Sequence, residues 1–273
     1  MTDDLPASVF CSDIALKGWA DYALCVRHSQ DLLEKLQEFY IPEEAKRILT
    51  IAILRVCDPD ITNSPLKVAY EESFLTQLLP NMPLSKNSVC SFLDALGKGC
   101  DRIFKFMRSR AAKVGIDDHL LVDGTLKTNT SRVNTFSEFS RKARLKGSKD
   151  IFVLYAFDLE EMEPVCSQCF PGNMLDLTSY NAFVQDNGIR SGILVGDKGF
   201  PEKSIEKSIE ANPDLHYLNP LRRSAKTAVD YDMYDFEGVL EIKNGFMDRS
   251  EPIQYKKSET GEERKVAVQF QGF

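Results

Sequence analysis

The spacing of apolar residues changes at His119, and that change constrains the chain more than any other feature. Before it, apolar residues recur every three or four positions, the period of an amphipathic helix. After it they cluster in short segments, at 119–122, 151–157, 164–170, 193–195 and 216–221, which read as strands. A chain of this order is expected to be α/β, with a helical N-terminal region followed by a mixed sheet with flanking helices.

The helical part has legible boundaries. Leu32, Leu33, Leu36 and Phe39 predict a helix over 31–39. Pro42 suits a first helical position, and Glu43 and Glu44 favour the first turn of the helix that runs to Asp58-Pro59. Ser64-Pro65 opens another helix, with Tyr70, Phe74, Leu75, Leu78 and Leu79 on its apolar side, until Pro80. Ser85 reads as an N-cap, Gly97 and Gly99 as a break, and 100–113 as a last helix with basic residues at Arg102, Lys105, Arg108, Arg110 and Lys113. The pair around Gly97 reads either as a helix-turn-helix DNA reader or as a plain αα-hairpin. Trp19 and Tyr22 are expected to anchor the N-terminal segment in the core.

From 119 to 221 the predicted order is strand, strand, strand, helix, strand, helix, strand. The first three can form an antiparallel meander, with an acidic turn over 158–163, and the later strands return through helices and so run parallel. The first strand is expected to end at Asp123, and the aromatic run 151–157 to be buried on both faces. Residues 231–273 are shorter in pattern and Lys/Glu-rich, with turns expected at Asn244-Gly245 and Thr260-Gly261-Glu262. The expected division is 1–115 helical, 116–225 sheet-bearing core and 226–273 β-rich.

No apolar run approaches the ~18 residues that span a bilayer, and the acidic start MTDDLPASVF lacks the features of a signal peptide. The default expectation is a cytoplasmic protein without a membrane partner, its seven scattered cysteines reduced and mostly buried. Cys166 and Cys169 have metal-like spacing, but no second Cys/His pair accompanies them. His28, His119 and His216 are isolated, and His119 reads as a capping or core histidine. The net charge is −7, yet 98–149 holds thirteen Lys/Arg against five Asp/Glu, a local +8. That asymmetry fits a surface facing a polyanion on an otherwise acidic body, or a solvated helix face followed by a basic loop.

Two carboxylates carry the chemical reading. Asp123 follows the run LLV, Asp197 follows ILVG, each has glycine nearby, and they are 74 residues apart. In the strand order above their strands can be neighbours, which brings the two side chains close. Close carboxylates repel, and a hard divalent cation relieves the repulsion. Two such ions ~3.5–4 Å apart stabilise both oxygens of an in-line phosphoryl displacement. The glycines would let a nucleic-acid strand approach closely. The alternative is two ordinary strand-end turns.

In order along the chain, LLVDGTLKTNTS, a hairpin ending in FPGN, a helix and ILVGDKGF resemble the DDE transposases of the insertion-sequence-four type, over about 84–221. The resemblance implies a ribonuclease-H-like core and Mg²⁺- (or Mn²⁺-) dependent cleavage and transfer of DNA strands in transposition of a bacterial insertion sequence. It implies Asp123 and Asp197 as catalytic metal ligands. It implies Lys142, Arg144, Lys146, Lys149 and Lys198 as DNA contacts, although arginine is more usual where Lys198 stands. The partners implied are double-stranded DNA, as transposon ends and as target, and a second copy in a homodimer when the protein is complete. The family's third carboxylate is a Glu in a pattern that begins Tyr, two residues, Arg. No tyrosine here is followed by arginine three positions on. Residues 231–273 resemble the opening of the β-rich insertion that precedes that Glu in many members. The expectation is therefore a C-terminally truncated transposase that lacks its third carboxylate. The competing readings are a non-catalytic DNA-binding or regulatory product and another ribonuclease-H-like nuclease.

Overall fold

The structure, a computed structural model, describes residues 17–131, 136–140, 148–174, 177–196, 208–218, 245–248, 251–259 and 266–272. The chain separates into two compact units: Met1–Lys113 with Gln185–Ile189, and Val114–Val184 with Arg190–Phe273.

The first unit holds α1 (Ala20–His28), α2 (Gln30–Gln37), α3 (Pro42–Cys57), α4 (Leu66–Glu71), α5 (Leu75–Leu78), α6 (Lys86–Lys98) and α7 (Cys100–Ala111). Pro42 occupies the start of α3 as its fixed φ favours, and the Ser85 hydroxyl accepts the Ser88 amide at the start of α6. α3 is central: Leu49, Ile51, Ile53 and Leu54 are buried with Leu66, Leu75, Leu84, Val89 and Phe92. Each such side chain contributes roughly 1.5–3 kcal/mol of apolar burial.

Three expectations change here. The helix expected to start at Ser64-Pro65 is two short ones, because residue 18 takes over backbone bonds at the break: the Phe74 amide donates to the Gly18 carbonyl and the Gly18 amide to Glu72. Ser73 sits at the break, its hydroxyl accepting the Leu75 amide and donating to the Tyr70 carbonyl. Gly97 continues α6, and Gly99 alone makes the break. Trp19 is 59% exposed and meets the edge of Phe74, and among the described residues Tyr22 is the expected anchor that packs on the core.

In the second unit β1 (His119–Asn129), β2 (Lys149–Asp158) and β3 (Glu163–Pro171) form an antiparallel meander. α8 (Leu177–Asp186) follows, and Gly188 ends its exit with φ +66°, a conformation natural to glycine. β4 (Gly192–Val195) then pairs parallel with β1, and β5 (Leu215–Leu218) parallel with β4. The sheet order is β3-β2-β1-β4-β5, three antiparallel strands followed by two parallel ones, the arrangement of a ribonuclease-H-like core. A separate antiparallel sheet contains β6 (Gly245–Asp248), β7 (Glu251–Glu259) and β8 (Val266–Gly272). β6 and β7 pair antiparallel from Gly245 opposite Gln254 to Asp248 opposite Glu251, and of the turn expected at Asn244-Gly245 the residue Asn244 lies outside the described residues. The turn expected at Thr260-Gly261-Glu262 and the helix expected around Ile205 lie outside the described residues, apart from helical 208–211.

β2 is buried on one face, not both. Its burial alternates, with Phe152, Leu154 and Ala156 inward and Tyr155 outward, because an antiparallel meander covered on one side needs only one apolar face. Leu120, Val122 and Leu194 lie inward with them, and α8 covers that face through Tyr180 against Phe152, with Phe183 and Val184 buried. Asp158 is buried and accepts the Glu160 and Glu161 amides, which closes the acidic turn.

Two glycines are fixed by close packing. A Cβ on Gly124 would lie 2.5 Å from the Phe152 ring, and one on Gly172 would lie 2.3 Å from the Asp150 carbonyl oxygen and 2.8 Å from that of Glu138. Overpacking of this kind costs ~1–3 kcal/mol when side chains can shift and more when backbone is in the way. Gly172→Ala is expected to destabilise the chain more than Gly124→Ala. Denaturant midpoints check this, and equal midpoints for Gly172→Ala and the parent would contradict it.

Candidate functional site

Asp123 lies in the middle of β1, not at its end. β1 continues to Asn129 because every residue of 120–129 has an antiparallel partner on β2. The carboxylate is exposed and sits on the face opposite α8. Its Oδ1 accepts the Gly124 amide at 2.8 Å, and its Oδ2 accepts the Tyr155 hydroxyl at 2.8 Å. Tyr155 is its direct cross-strand partner. The hydrogen bond to Asp123 pushes the Tyr155 phenol up, with smaller contributions from burial and from the Asp123 charge, so it remains a donor. Among the described residues no ion pair involves Asp123. Gly124 points the other way along the strand. Its missing side chain makes room for Phe152 in the core rather than for a nucleic-acid strand.

Asp197 and Lys198 lie outside the described residues, as do Lys142, Arg144 and Lys146. The strand that leads to Asp197 is described. β4 runs parallel to β1, with His119 opposite Ile193, Leu120 opposite Leu194 and Leu121 opposite Val195. This neighbour relation is the one the strand order predicts. Its offset is 74 residues, the same as the separation of the two aspartates.

Lys149 is the exposed first residue of β2. It pairs with Asn129, six residues beyond Asp123, and so shares Asp123's face at ~20 Å along the strand. That distance excludes a role at the same reacting atoms. It matches about six nucleotides of rise along one strand of a duplex. Lys127 lies between them on the same face and is also exposed. The Lys149 ammonium lies 5.5 Å from the Phe139 ring centre, and Phe136 and Phe139 are exposed. Of the α7 cations, Arg102 is engaged within its unit, donating to Glu44 at 2.8 Å and stacking on Tyr40.

The cysteines are not mostly buried. Among the described ones Cys166 is buried, Cys25 and Cys57 are half-buried, and Cys90, Cys100 and Cys169 are exposed. Burial pushes the Cys166 thiol up to about 12, so it is protonated and inert. Cys166 and Cys169 are three apart on β3, one buried and one exposed, so their sulfurs do not converge on an ion. His119 is not a core residue. Its amide and its ring Nδ1 both meet Glu160, at 2.7 Å each, and these bonds lower the Glu160 carboxyl from its usual range.

The donor chemistry of Asp123 suits a hard cation: two exposed carboxylate oxygens, each retaining lone-pair capacity after one hydrogen bond. Among the described residues no three His, Cys, Asp or Glu side chains gather as a metal-holding group. Sequence reasoning missed Tyr155. Its signal was a lone polar tip in the run IFVLYAF, at the position paired with Asp123. Among the described residues no helix is long and apolar enough to cross a membrane. No family model matches the chain, and no curated protein matches it.

Proposed function

We propose that the chain carries the catalytic core of a DDE-type DNA transposase, with Asp123 and Asp197 as two of its metal-ligating carboxylates. The observation that carries the reading is the register of β1 and β4. The two strands are parallel neighbours at an offset of 74 residues as far as Leu121 and Val195, and the two aspartates are separated in sequence by the same 74 residues. Asp123 is exposed on the open face, as a residue meeting both a cation and a DNA strand has to be. Mg²⁺ or Mn²⁺ held there would polarise the scissile phosphate and activate the attacking oxygen, water first and then a 3′-hydroxyl. Asp123 and Asp197 would hold the ion. Lys149, together with Lys142, Arg144, Lys146 and Lys198, would hold the DNA backbone. Duplex DNA is the partner, and a second copy of the protein the partner in the complete assembly.

The 273-residue chain is expected to bind DNA but not to cut or join it. The family's third carboxylate follows a tyrosine and an arginine three positions later, and no such pair occurs in this sequence. Losing one electrostatic contributor to a transition state commonly costs ~10²–10³ in rate, and a missing metal ligand costs at least that. The test is incubation with Mg²⁺ or Mn²⁺ and end-labelled DNA, beside Asp123→Ala. No nicking and measurable binding is the expected result. Nicking that disappears in Asp123→Ala would show that another carboxylate completes the site. Absence of DNA binding would remove the transposase reading.

A further inference from the structure

We propose that Tyr155 is a positioning residue for Asp123, holding its carboxylate ready for a divalent cation. The inference rests on the reading of Asp123 as a metal ligand and names a residue that serves it.

β2 is apolar over 151–157 apart from one hydroxyl. That hydroxyl occurs at the position in register with Asp123 and is directed at Oδ2, 2.8 Å away. Phenylalanine would give the same ring to the same exposed face, so apolar packing does not explain the phenol oxygen. The opposite carboxylate oxygen is held by the Gly124 amide. A carboxylate offers about four lone-pair sites, so two donors leave about two for a cation. With one donor on each oxygen the carboxylate plane is fixed, and its rotation need not be arrested when an ion arrives. Hydrogen bonds to ligating side chains commonly alter metal affinity by ~10–100-fold.

Mn²⁺ alone is the probe, titrated against the full chain while free Mn²⁺ is followed by its electron paramagnetic resonance signal. The proteins are the parent, Tyr155→Phe, Asp123→Asn and the double variant, each with a thermal unfolding curve. Tyr155→Phe is expected to weaken Mn²⁺ binding about ten-fold with its melting temperature unchanged. Asp123→Asn is expected to abolish the site, and the double variant to behave like Asp123→Asn, because Tyr155 acts through that carboxylate. Parent affinity in Tyr155→Phe, with loss in Asp123→Asn, would overturn the positioning role and leave Asp123 as a ligand. A drop in melting temperature, with further weakening in the double variant, would make Tyr155 structural and also overturn it. Unchanged Mn²⁺ binding in Asp123→Asn would overturn the ligand reading, and this inference with it.

Discussion

Neutralising Lys142, Arg144, Lys146 and Lys149 together is expected to lower duplex-DNA affinity by roughly three to four orders of magnitude near ~0.1 M salt. Each phosphate contact contributes ~0.9 to the slope of log affinity against log salt, so four contacts contribute ~3.6. The body of the protein is acidic, with −15 outside the +8 segment, and repels DNA, so binding has to be concentrated on the basic segment. Lys149 shows how such a contact is built. It is exposed at the start of a strand, on the face that bears Asp123, and its ammonium lies 5.5 Å from the Phe139 ring centre. Fluorescence anisotropy over a salt series checks both quantities. Affinity and slope should fall together in the four-site variant. Parent affinity with an unchanged slope would place any DNA surface elsewhere on the chain.

Phe183→Ala is expected to cost ~3–5 kcal/mol, the range for truncating a fully buried aromatic side chain. Phe183 is 0% exposed and belongs to α8, the helix that covers the inward face of the sheet. Beside it Val184 is buried, and Tyr180 meets Phe152 directly beneath β1. Denaturant unfolding measures the loss. A cost under ~1 kcal/mol would mean that α8 does not hold the sheet as described.

Much of the sheet was legible in the sequence because its signals are local. The apolar runs mark the strands, and the helical interval before Ile193 forces the parallel return that sets β4 beside β1. Register was legible only in outline. The residues after Asp123 (GTLKTN) are too polar to read as strand, and they become strand because β2 offers ten consecutive partners. The break between α4 and α5 was hidden for the same reason, since the bonds that make it come from residue 18, more than fifty positions away. Beside Asp123, Gly124 suggests an approach for nucleic acid when the sequence alone is considered. Strand alternation puts it on the face of Phe152, and a turn-like Asp-Gly pair inside a strand gives no hint of that. Tyr155 lay in an aromatic run and looked like packing. Its meaning depends on which residue stands across the strand pair, and that is a tertiary fact.

The proposed function requires one cation site shared by Asp123 and Asp197. Localised cleavage by iron tests it most directly. Fe²⁺ is substituted for Mg²⁺ in the full chain, and ascorbate with peroxide then cuts the backbone within a few ångströms of the bound ion. Carboxylate ligands of a hard cation lie at roughly 2.0–2.6 Å, so the cuts report the ligands closely. Two cuts are expected, one beside Asp123 and one beside Asp197, both suppressed by excess Mg²⁺ and both lost in Asp123→Asn. Cuts at a single locus, or cuts that persist in Asp123→Asn, would contradict it.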